Sequence, residues 1–383
     1  MFGSYEDGYK WIPKVLEQIK KKNRGSIGVV ATDMDKYFSY CCLSFKAYLE
    51  GFKNGCRPFI GLDGCHLNGK YGGVLLSAVA LDGNNGMYPL AIFICDCENK
   101  ENWILFLNLI KDMLLEHPAP LTFISDRQKG LIPAIQIVFP SNRTRYWFRH
   151  MYENFKTKHK GVHMKTLAWG ATKAYRDTDH TRYMALMEKD NKKAHQWFED
   201  VPTIQWARST FDHTSKCEHV TNNFTECLNS WLVELRCKPI HMILEGFNLK
   251  MMNLMFDRKM IAKKWEAEGL ILVPIDDRIM KNIINLKRRY QLFGSEEYIW
   301  CVMNYLTSRR WEVNLTKKTC TCCVWEITGI PCVHVVAVAC HLRMDPNSLV
   351  EEYHKVSAYK KAYGGRVEPC ASQDGWIEMS SAI

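Results

Sequence analysis

The chain has 383 residues, 47% of them hydrophobic, so it can form two domains or one large domain with insertions, and global disorder is excluded. Lys and Arg outnumber Asp and Glu by 51 to 41, which favours a polyanionic partner, although a merely basic globular protein has the same balance. Sixteen cysteines without a secretory signal indicate a reducing compartment, and no apolar stretch approaches the ~20 residues that span a bilayer.

The first segment, residues 1–57, is predicted to be a mostly helical lead-in. Its apolar side chains up to residue 19 are spaced for one face of a helix, and a glycine at residue 55 is a stop signal. The run Lys-Lys-Lys-Asn-Arg at residues 20–24 resembles a short nuclear-import signal and predicts localisation in the nucleus. A solvated helix end has the same composition.

The next segment changes to the pattern of a sheet. Three apolar runs at residues 59–62, 74–81 and 88–95 are separated by Gly- and Asn-rich turns, which predicts an antiparallel meander. An amphipathic helix follows at 103–113, then a strand at 121–125, a short helix at 130–139 and a possible strand at 145–148. This order is typical of a ribonuclease-H-like layer, so the predicted fold class is α/β with a mixed sheet.

Two aspartates each follow one of these apolar runs. Asp63 ends the first run of the meander and Asp126 ends the strand after the amphipathic helix. An Asp after a strand is often only a turn former. Two of them at the rim of one sheet can instead hold hard divalent cations for phosphoryl transfer on nucleic acid. Arg127 and Lys129 stand beside the second aspartate, where they could meet phosphate.

A third carboxylate is needed for two metals, and Glu226 is the candidate. The helix that opens at Thr221 or Asn222 has an apolar stripe that includes Leu228, whereas Asn222, Glu226 and Asn229 share the opposite face. From helix geometry alone, Glu226 faces either solvent or a cleft beside the sheet. The stretch before this helix, residues 156–215, is polar and helical in pattern and is predicted to be an insertion.

The clearest spacing signal lies near the C-terminus. Cys320 and Cys322 are followed by Cys332 and His334, and three thiolates with one imidazole make a closed tetrahedral site for structural zinc. Residues 324–331 are predicted to form a strand, a turn and a return, and residues 335–339 an apolar helix. Five segments are therefore predicted. They are a lead-in at 1–57, a core in two parts at 58–155 and 216–295, an insertion at 156–215, and a zinc module with a tail at 296–383.

Specific motifs add a resemblance to a known family. They include Gly-Leu-Asp-Gly-Cys-His at 61–66, Phe-Ile-Ser-Asp-Arg-Gln-Lys-Gly at 123–130, Glu98-Asn99, Lys-Pro-Ile at 238–240 and Ile-Thr-Gly-Ile-Pro-Cys at 327–332. Over residues 20 to 376 the chain resembles the transposases of Mutator-like elements (MULEs) and their domesticated plant relatives, the far-red-response transcription regulators. The Cys and His set resembles that family's SWIM zinc finger.

The resemblance implies a ribonuclease-H-like transposase core with a helical insertion. Asp63, Asp126 and Glu226 would be the catalytic carboxylates, with Glu226 in the cleft and Mg or Mn as the catalytic cofactor, and strand cleavage and transfer would be metal-assisted. The implied partner is DNA and not a membrane, and a homo-oligomer is possible.

Two departures from the family pattern favour alternative functions. Trp147 stands where the family commonly has the cysteine of a Cys-x-x-His pair, although His150 remains. Members also usually carry an N-terminal zinc-bearing DNA-binding domain, and the sequence begins after its expected position. The alternatives are a catalytically silent, transposase-derived DNA-binding or transcription-regulatory protein, and an adaptor whose zinc module binds a protein.

Overall fold

The computed structural model describes residues 5–221 and 223–370, so Asn222 and the end of the predicted C-terminal tail lie outside the described residues. A seven-stranded sheet forms its centre, in the order β1-β2-β5-β4-β3-β6-β7. The strands are β1 Ile27–Thr32, β2 Phe38–Ser44, β3 Phe59–His66, β4 Val74–Leu81, β5 Met87–Cys95, β6 Thr122–Ser125 and β7 Arg143–Tyr146. The predicted mixed α/β sheet is confirmed.

Helices flank this sheet and make up most of the rest of the described chain. They are α1 Tyr5–Lys22, α2 Lys46–Gly55, α3 Lys100–Leu115, α4 Leu131–Val138, α5 Phe148–Lys158, α6 Val162–Lys173, α7 Asp177–Asp190, α8 Lys192–Glu199, α9 Asn223–Trp231, α10 Ile240–Ala267, α11 Pro274–Leu286, α12 Val324–Thr328, α13 Val333–His341 and α14 Val356–Ala362. Within the described ranges, no helix combines the length and the apolar character needed to cross a bilayer.

The pairing of β3 with β6 brings the two aspartates to one edge of the sheet. The two strands are parallel, with Gly61 opposite Ile124, so Asp63 and Asp126 follow at equivalent distances along their strands. β3 does not end at Asp63 as the apolar run predicts. It continues to His66 because β4 remains its antiparallel partner, with Asp63 opposite Ser77.

The lead-in is helical at α1 and α2, as predicted, but the prediction is wrong for residues 27–44. β1 and β2 form a hairpin here, and β2 pairs with β5 of the central sheet. The turn is stabilised by Asp33, whose side chain accepts backbone hydrogen bonds from Asp35 and Tyr37. The apolar residues of β2 are buried against the sheet, and this distant pairing overrides any local helical spacing.

The predicted insertion contains its own apolar cluster. Phe148, which begins α5 just before the predicted insertion, stacks on Phe198 of α8 and on Trp206 with ring centroids 6.0 Å away in both cases. All three rings are fully buried in a cluster separate from the one around the central sheet. The helical nature of the segment is thus confirmed, while the exact domain boundaries stay predictions.

After the insertion, α9 lies directly against β3. A Cβ at Gly61 would lie 2.4 Å from the Thr225 methyl group and 2.6 Å from the Phe224 ring, so only glycine permits this approach. The helix predicted to open at Thr221 or Asn222 is α9, and turns separate it from α10, whose first residue follows Pro239.

The C-terminal module has a second sheet, in the order β11-β10-β9-β8, covered by α13. Its strands are β8 Tyr290–Glu296, β9 Ile299–Asn304, β10 Arg310–Asn314 and β11 Thr319–Cys320. The strand predicted to begin at Val324 is wrong, since this segment forms α12 between two left-handed residues, Cys323 and Gly329. The helix suits the segment because Trp325 is buried and its indole N–H donates to the Leu349 carbonyl.

Candidate functional site

Asp63 is a half-buried carboxylate held by two donors from different elements. Its Oδ1 accepts the Gly64 backbone N–H at 2.9 Å, and its Oδ2 accepts the Asn229 amide Nδ2 at 2.8 Å. The second bond joins β3 to α9, which the Gly61 contact holds close. Asn229 therefore fixes the orientation of Asp63 from across the cleft.

The environment of Asp63 disfavours its charged form. Burial, together with the negative charges of Asp126 and Glu98, raises the pKa of Asp63 to about 7, against the lowering effect of the Gly64 and Asn229 hydrogen bonds. Carboxylates that repel one another in a partly buried site are stabilised by a bound cation. The geometry thus joins Asp63 to Asp126, as their positions in the sequence predict.

Asp126 begins a tight turn between β6 and α4. Its Oδ1 accepts the Gln128 backbone N–H at 3.0 Å, and the Gln128 side chain in turn accepts the backbone N–H groups of Gly130 and Leu131. These bonds hold the turn in one conformation. Arg127 and Lys129 lie on this turn and are exposed, as a contact with phosphate would require.

Glu226 lies on α9 but does not touch Asp63. Its side chain is 47% exposed and its Oε2 lies 3.5 Å from the Arg149 Nη1 of α5. The residue of this helix that reaches Asp63 is Asn229, three positions further along on the same face. The shared face was predicted correctly for these two residues, while Asn222 lies outside the described part.

Glu98 is a fourth carboxylate at this site that the sequence reasoning did not select. It precedes α3, and its Oε1 accepts the Trp103 indole N–H at 3.1 Å. Its Oε2 packs against β3, 2.8 Å from where a Cβ would stand at Gly64. Burial raises the pKa of Glu98, as does the charge of Asp126, while the Trp103 hydrogen bond lowers it. The Glu-Asn pair at 98–99 was noticed as a family motif, which was the available signal.

The donor set around Asp63 is chemically suited to a hard cation. It offers carboxylate oxygens from Asp63, Asp126 and Glu98, and the Asn229 Oδ1, a buried atom that accepts no hydrogen bond from any described residue. These carboxylates do not form a tight group. In residues 5–221 and 223–370, one cluster of three or more ligating side chains has all its ligand atoms within 4.8 Å of one another, and it lies in the C-terminal module.

Trp147, the departure noted in the sequence, is buried beside Asp126. Its backbone N–H donates to the Ser125 carbonyl at 2.9 Å, and its ring lies 5.3 Å from that of His150. The side chain is 2% exposed, so it fills space where the family commonly has a small thiol. His150 itself is exposed.

The tight cluster is the Cys and His set of the C-terminal module. Cys320, Cys322, Cys332 and His334 are all buried with their ligand atoms within 4.8 Å of one another. His334 Nδ1 lies 3.6 Å from the Cys320 sulfur and 3.5 Å from the Cys332 sulfur. Ligands at ~2.3 Å (sulfur) and ~2.0 Å (nitrogen) from one tetrahedral zinc ion are about 3.5 Å apart. The residues therefore form the predicted structural zinc site.

The surroundings of this cluster favour metal binding. Hydrogen bonds from the Cys320 and Cys332 thiols lower the pKa of Cys322, so a thiolate is favoured at that position. The ring of His334 is clamped by Trp311, which stacks on it with centroids 4.1 Å apart, and by the edge of Tyr290 at 5.1 Å. These contacts fix the imidazole orientation, as the partners of metal ligands usually do.

Comparison with protein families agrees with both sites. Residues 59–154 match the MULE transposase domain, which spans Asp63, Glu98 and Asp126. Residues 307–342 match the SWIM zinc finger, which contains all four zinc ligands. No curated protein matches the chain. The chain thus matches a MULE transposase domain followed by a SWIM zinc finger, as the resemblance predicts.

Proposed function

We propose that the chain is the core of a MULE DNA transposase that cleaves and transfers DNA strands in DNA recombination. The observation that carries the proposal is the parallel pairing of β3 and β6, which brings Asp63 and Asp126 to one edge of the sheet inside the matched domain. The order of neighbouring strands in the sheet, β5-β4-β3-β6-β7, supports a ribonuclease-H-like description of this core. The five domain ranges predicted from the sequence belong to the same proposal, as does localisation in the nucleus.

The catalytic carboxylates in this proposal are Asp63, Asp126 and Glu226. Together they would hold Mg²⁺ or Mn²⁺, which when bound would offset the carboxylate charges and act as a Lewis acid at the scissile phosphate. Asp63 is oriented for this role by its bonds to Gly64 and Asn229. Glu226 would take part after leaving Arg149, a change that costs little because exposed ion pairs contribute only ~0–1 kcal/mol.

DNA would be positioned by cations beside the carboxylates. Arg127 and Lys129 are exposed on the turn that Asp126 begins, and Arg149 stands next to Glu226. Contacts of this kind fix the register of a phosphate backbone without reading its sequence. We therefore infer binding to DNA backbone at this edge.

The test is nicking of supercoiled plasmid in Mg²⁺ or Mn²⁺ by the wild type and by Asp126→Asn. The proposal expects metal-dependent nicking that falls to background in Asp126→Asn and persists in Asp112→Asn, which changes an exposed aspartate of α3. Both variants must retain the wild-type melting temperature and zinc content. Nicking that is unchanged in Asp126→Asn would contradict the assignment.

The second candidate is a catalytically silent, transposase-derived DNA-binding or transcription-regulatory protein. Two observations favour it, the buried Trp147 beside the second aspartate and the pairing of Glu226 with Arg149. A folded, zinc-loaded wild type that binds DNA but does not nick it in either metal would support this candidate over the first.

A further inference from the structure

A cleft of about 690 Å³ separates the insertion helices from the zinc module. One wall is formed by α6 and α7, with Trp169 and Arg182, and the other by the zinc module, with Arg309 and Trp311. The floor reaches the zinc ligand His334. None of the carboxylates of the proposed catalytic site lines this cleft.

The walls of the cleft are strongly basic. Its lining includes the cations of Lys173, Arg176, Arg182 and Arg309 but only one carboxylate, that of Asp179. Asp179 forms long ion pairs with two of these cations, 3.9 Å from Arg176 Nε and 4.0 Å from Arg182 Nη2, so one negative charge stands against four positive charges. The excess of positive charge indicates a polyanionic ligand.

Aromatic rings alternate with these cations. Trp169, Tyr183, Tyr290 and Trp311 line the cleft and are half-buried, so each presents part of its ring to the space between the walls. A ligand that enters the cleft could therefore stack on these rings.

We propose that this cleft binds an unpaired DNA strand. A basic groove lined by aromatic faces is the combination that holds single strands, because the cations pair with phosphates while exposed bases stack on the rings. Paired bases in a duplex are already stacked on one another and cannot use these faces. The proposal goes beyond strand cleavage and does not require it, since the cleft and the carboxylates at 63 and 126 share no residue.

The experiment measures binding of a fluorescein-labelled single-stranded DNA and of the same sequence as a duplex. The protein is the zinc-loaded full chain without added Mg²⁺ or Mn²⁺, read by fluorescence anisotropy. The variants reverse one charge on each wall, Arg182→Glu on α7 and Arg309→Glu on the exposed turn before β10. The matched controls are Lys189→Glu on α7 and Lys317→Glu in the zinc module, both exposed and outside the cleft.

We expect each cleft variant to bind the single strand about tenfold more weakly, and the controls to stay within about twofold of the wild type. Tyr183→Leu should weaken single-strand binding by a similar factor without lowering its salt dependence, because it removes a stacking face and no charge. Binding is measured without Mg²⁺ or Mn²⁺, so this readout does not depend on strand cleavage and a failure of the two proposals can be told apart.

Three results would overturn the proposal. The first is a wild type that binds duplex as tightly as single strand. The second is equal loss in the cleft variants and the matched controls, which would mean that only net charge matters. The third is a cleft that binds an acidic peptide and not the single strand, with peptide binding weakened by the same variants. The cleft would then belong to a protein partner.

Discussion

At the scale of single residues, the burial of Asp63 makes it both a functional candidate and a cost to stability. Its pKa of about 7 in the folded chain lies well above the ordinary value of an aspartate in the unfolded chain. The folded state therefore binds the proton more tightly, and the contribution of this group to stability is lost as the pH rises through neutrality. A cation held by the site would reverse this loss.

The first prediction follows from that sign. In the absence of divalent cations other than zinc, Asp63→Asn should melt at a higher temperature than the wild type. The difference in melting temperature should be larger at about pH 8, where the wild-type carboxylate is charged, than at about pH 6. The difference between the two pH values should be about 1.4 kcal/mol, since about one pKa unit separates pH 6 from the pKa of about 7 and each unit corresponds to about 1.36 kcal/mol. Thermal melts of both proteins at the two pH values give the difference.

The control for this prediction is Asp112→Asn, which changes an exposed aspartate of α3. Its melting temperature should differ from that of the wild type by the same small amount at both pH values. An effect of Asp63→Asn that is independent of pH would contradict the raised pKa.

The second prediction concerns Glu98, whose side chain faces β3 beside the two aspartates. Glu98→Gln keeps an acceptor for the Trp103 indole N–H but removes a charge, so we expect the fold to survive and the Mn²⁺ affinity to fall about tenfold. The measurement is the rise of melting temperature on titration with Mn²⁺. The matched control is Glu101→Gln, an exposed residue in the first turn of α3, and a tenfold loss there too would count against a role for Glu98.

At the scale of elements, the position of α9 on β3 decides which side chains reach the cleft. The close approach at Gly61 allows Asn229 to donate to Asp63 at 2.8 Å. Glu226 is carried by the same helix and forms an ion pair with Arg149 of α5. A shift of α9 away from the sheet would therefore disturb the whole cleft.

The third prediction tests this packing. Gly61→Ala should destabilise the chain by about 1–3 kcal/mol, because the new Cβ would lie 2.4 Å from Thr225 and 2.6 Å from Phe224. Denaturant unfolding measures the change. The comparison is Gly294→Ala on β8, where the nearest atom to a new Cβ is 3.4 Å away, and an equal loss in both variants would contradict the steric explanation.

At the scale of the whole molecule, the zinc module is joined to the core by specific buried contacts. The two ring nitrogens of His354 face acceptor oxygens, 2.8 Å from the Asp276 carboxylate of α11 and 2.8 Å from the Thr328 carbonyl of α12. The Tyr88 hydroxyl of β5 donates to the Ala362 carbonyl of α14 at 2.8 Å. The module thus has its own metal centre while its far end is anchored to the central sheet.

The fourth prediction separates these two sources of order. Removing zinc should unfold the region from about residue 311 to 353, since a small cluster around four metal ligands cannot be stable without its ion, and should leave β3 to β7 folded. Chelation followed by hydrogen exchange resolved by segment is the measurement. Uniform loss of protection in both regions would show that the module and the core unfold as one unit.

The sequence by itself determined the features that depend on short-range spacing. The four zinc ligands, the amphipathic α3 and the strands ending near Asp63 and Asp126 could be read from periodicity and ligand spacing, because each pattern lies within one element or its turns. The order of strands and helices from β3 to β7 followed from these local patterns, and the structure has that order.

Tertiary structure alone decided the features that depend on distant partners. The strands at 27–44 exist because β2 pairs with β5, about fifty residues away, and residues 324–328 form a helix because Trp325 packs into the zinc module. Likewise, Asn229 and Glu98 lie near Asp63 only because the tertiary fold brings their segments to β3. The aromatic cleft exists only where the insertion helices face the zinc module. A single sequence does not encode such pairings in its local pattern, because their energy comes from surfaces buried between segments far apart in the chain.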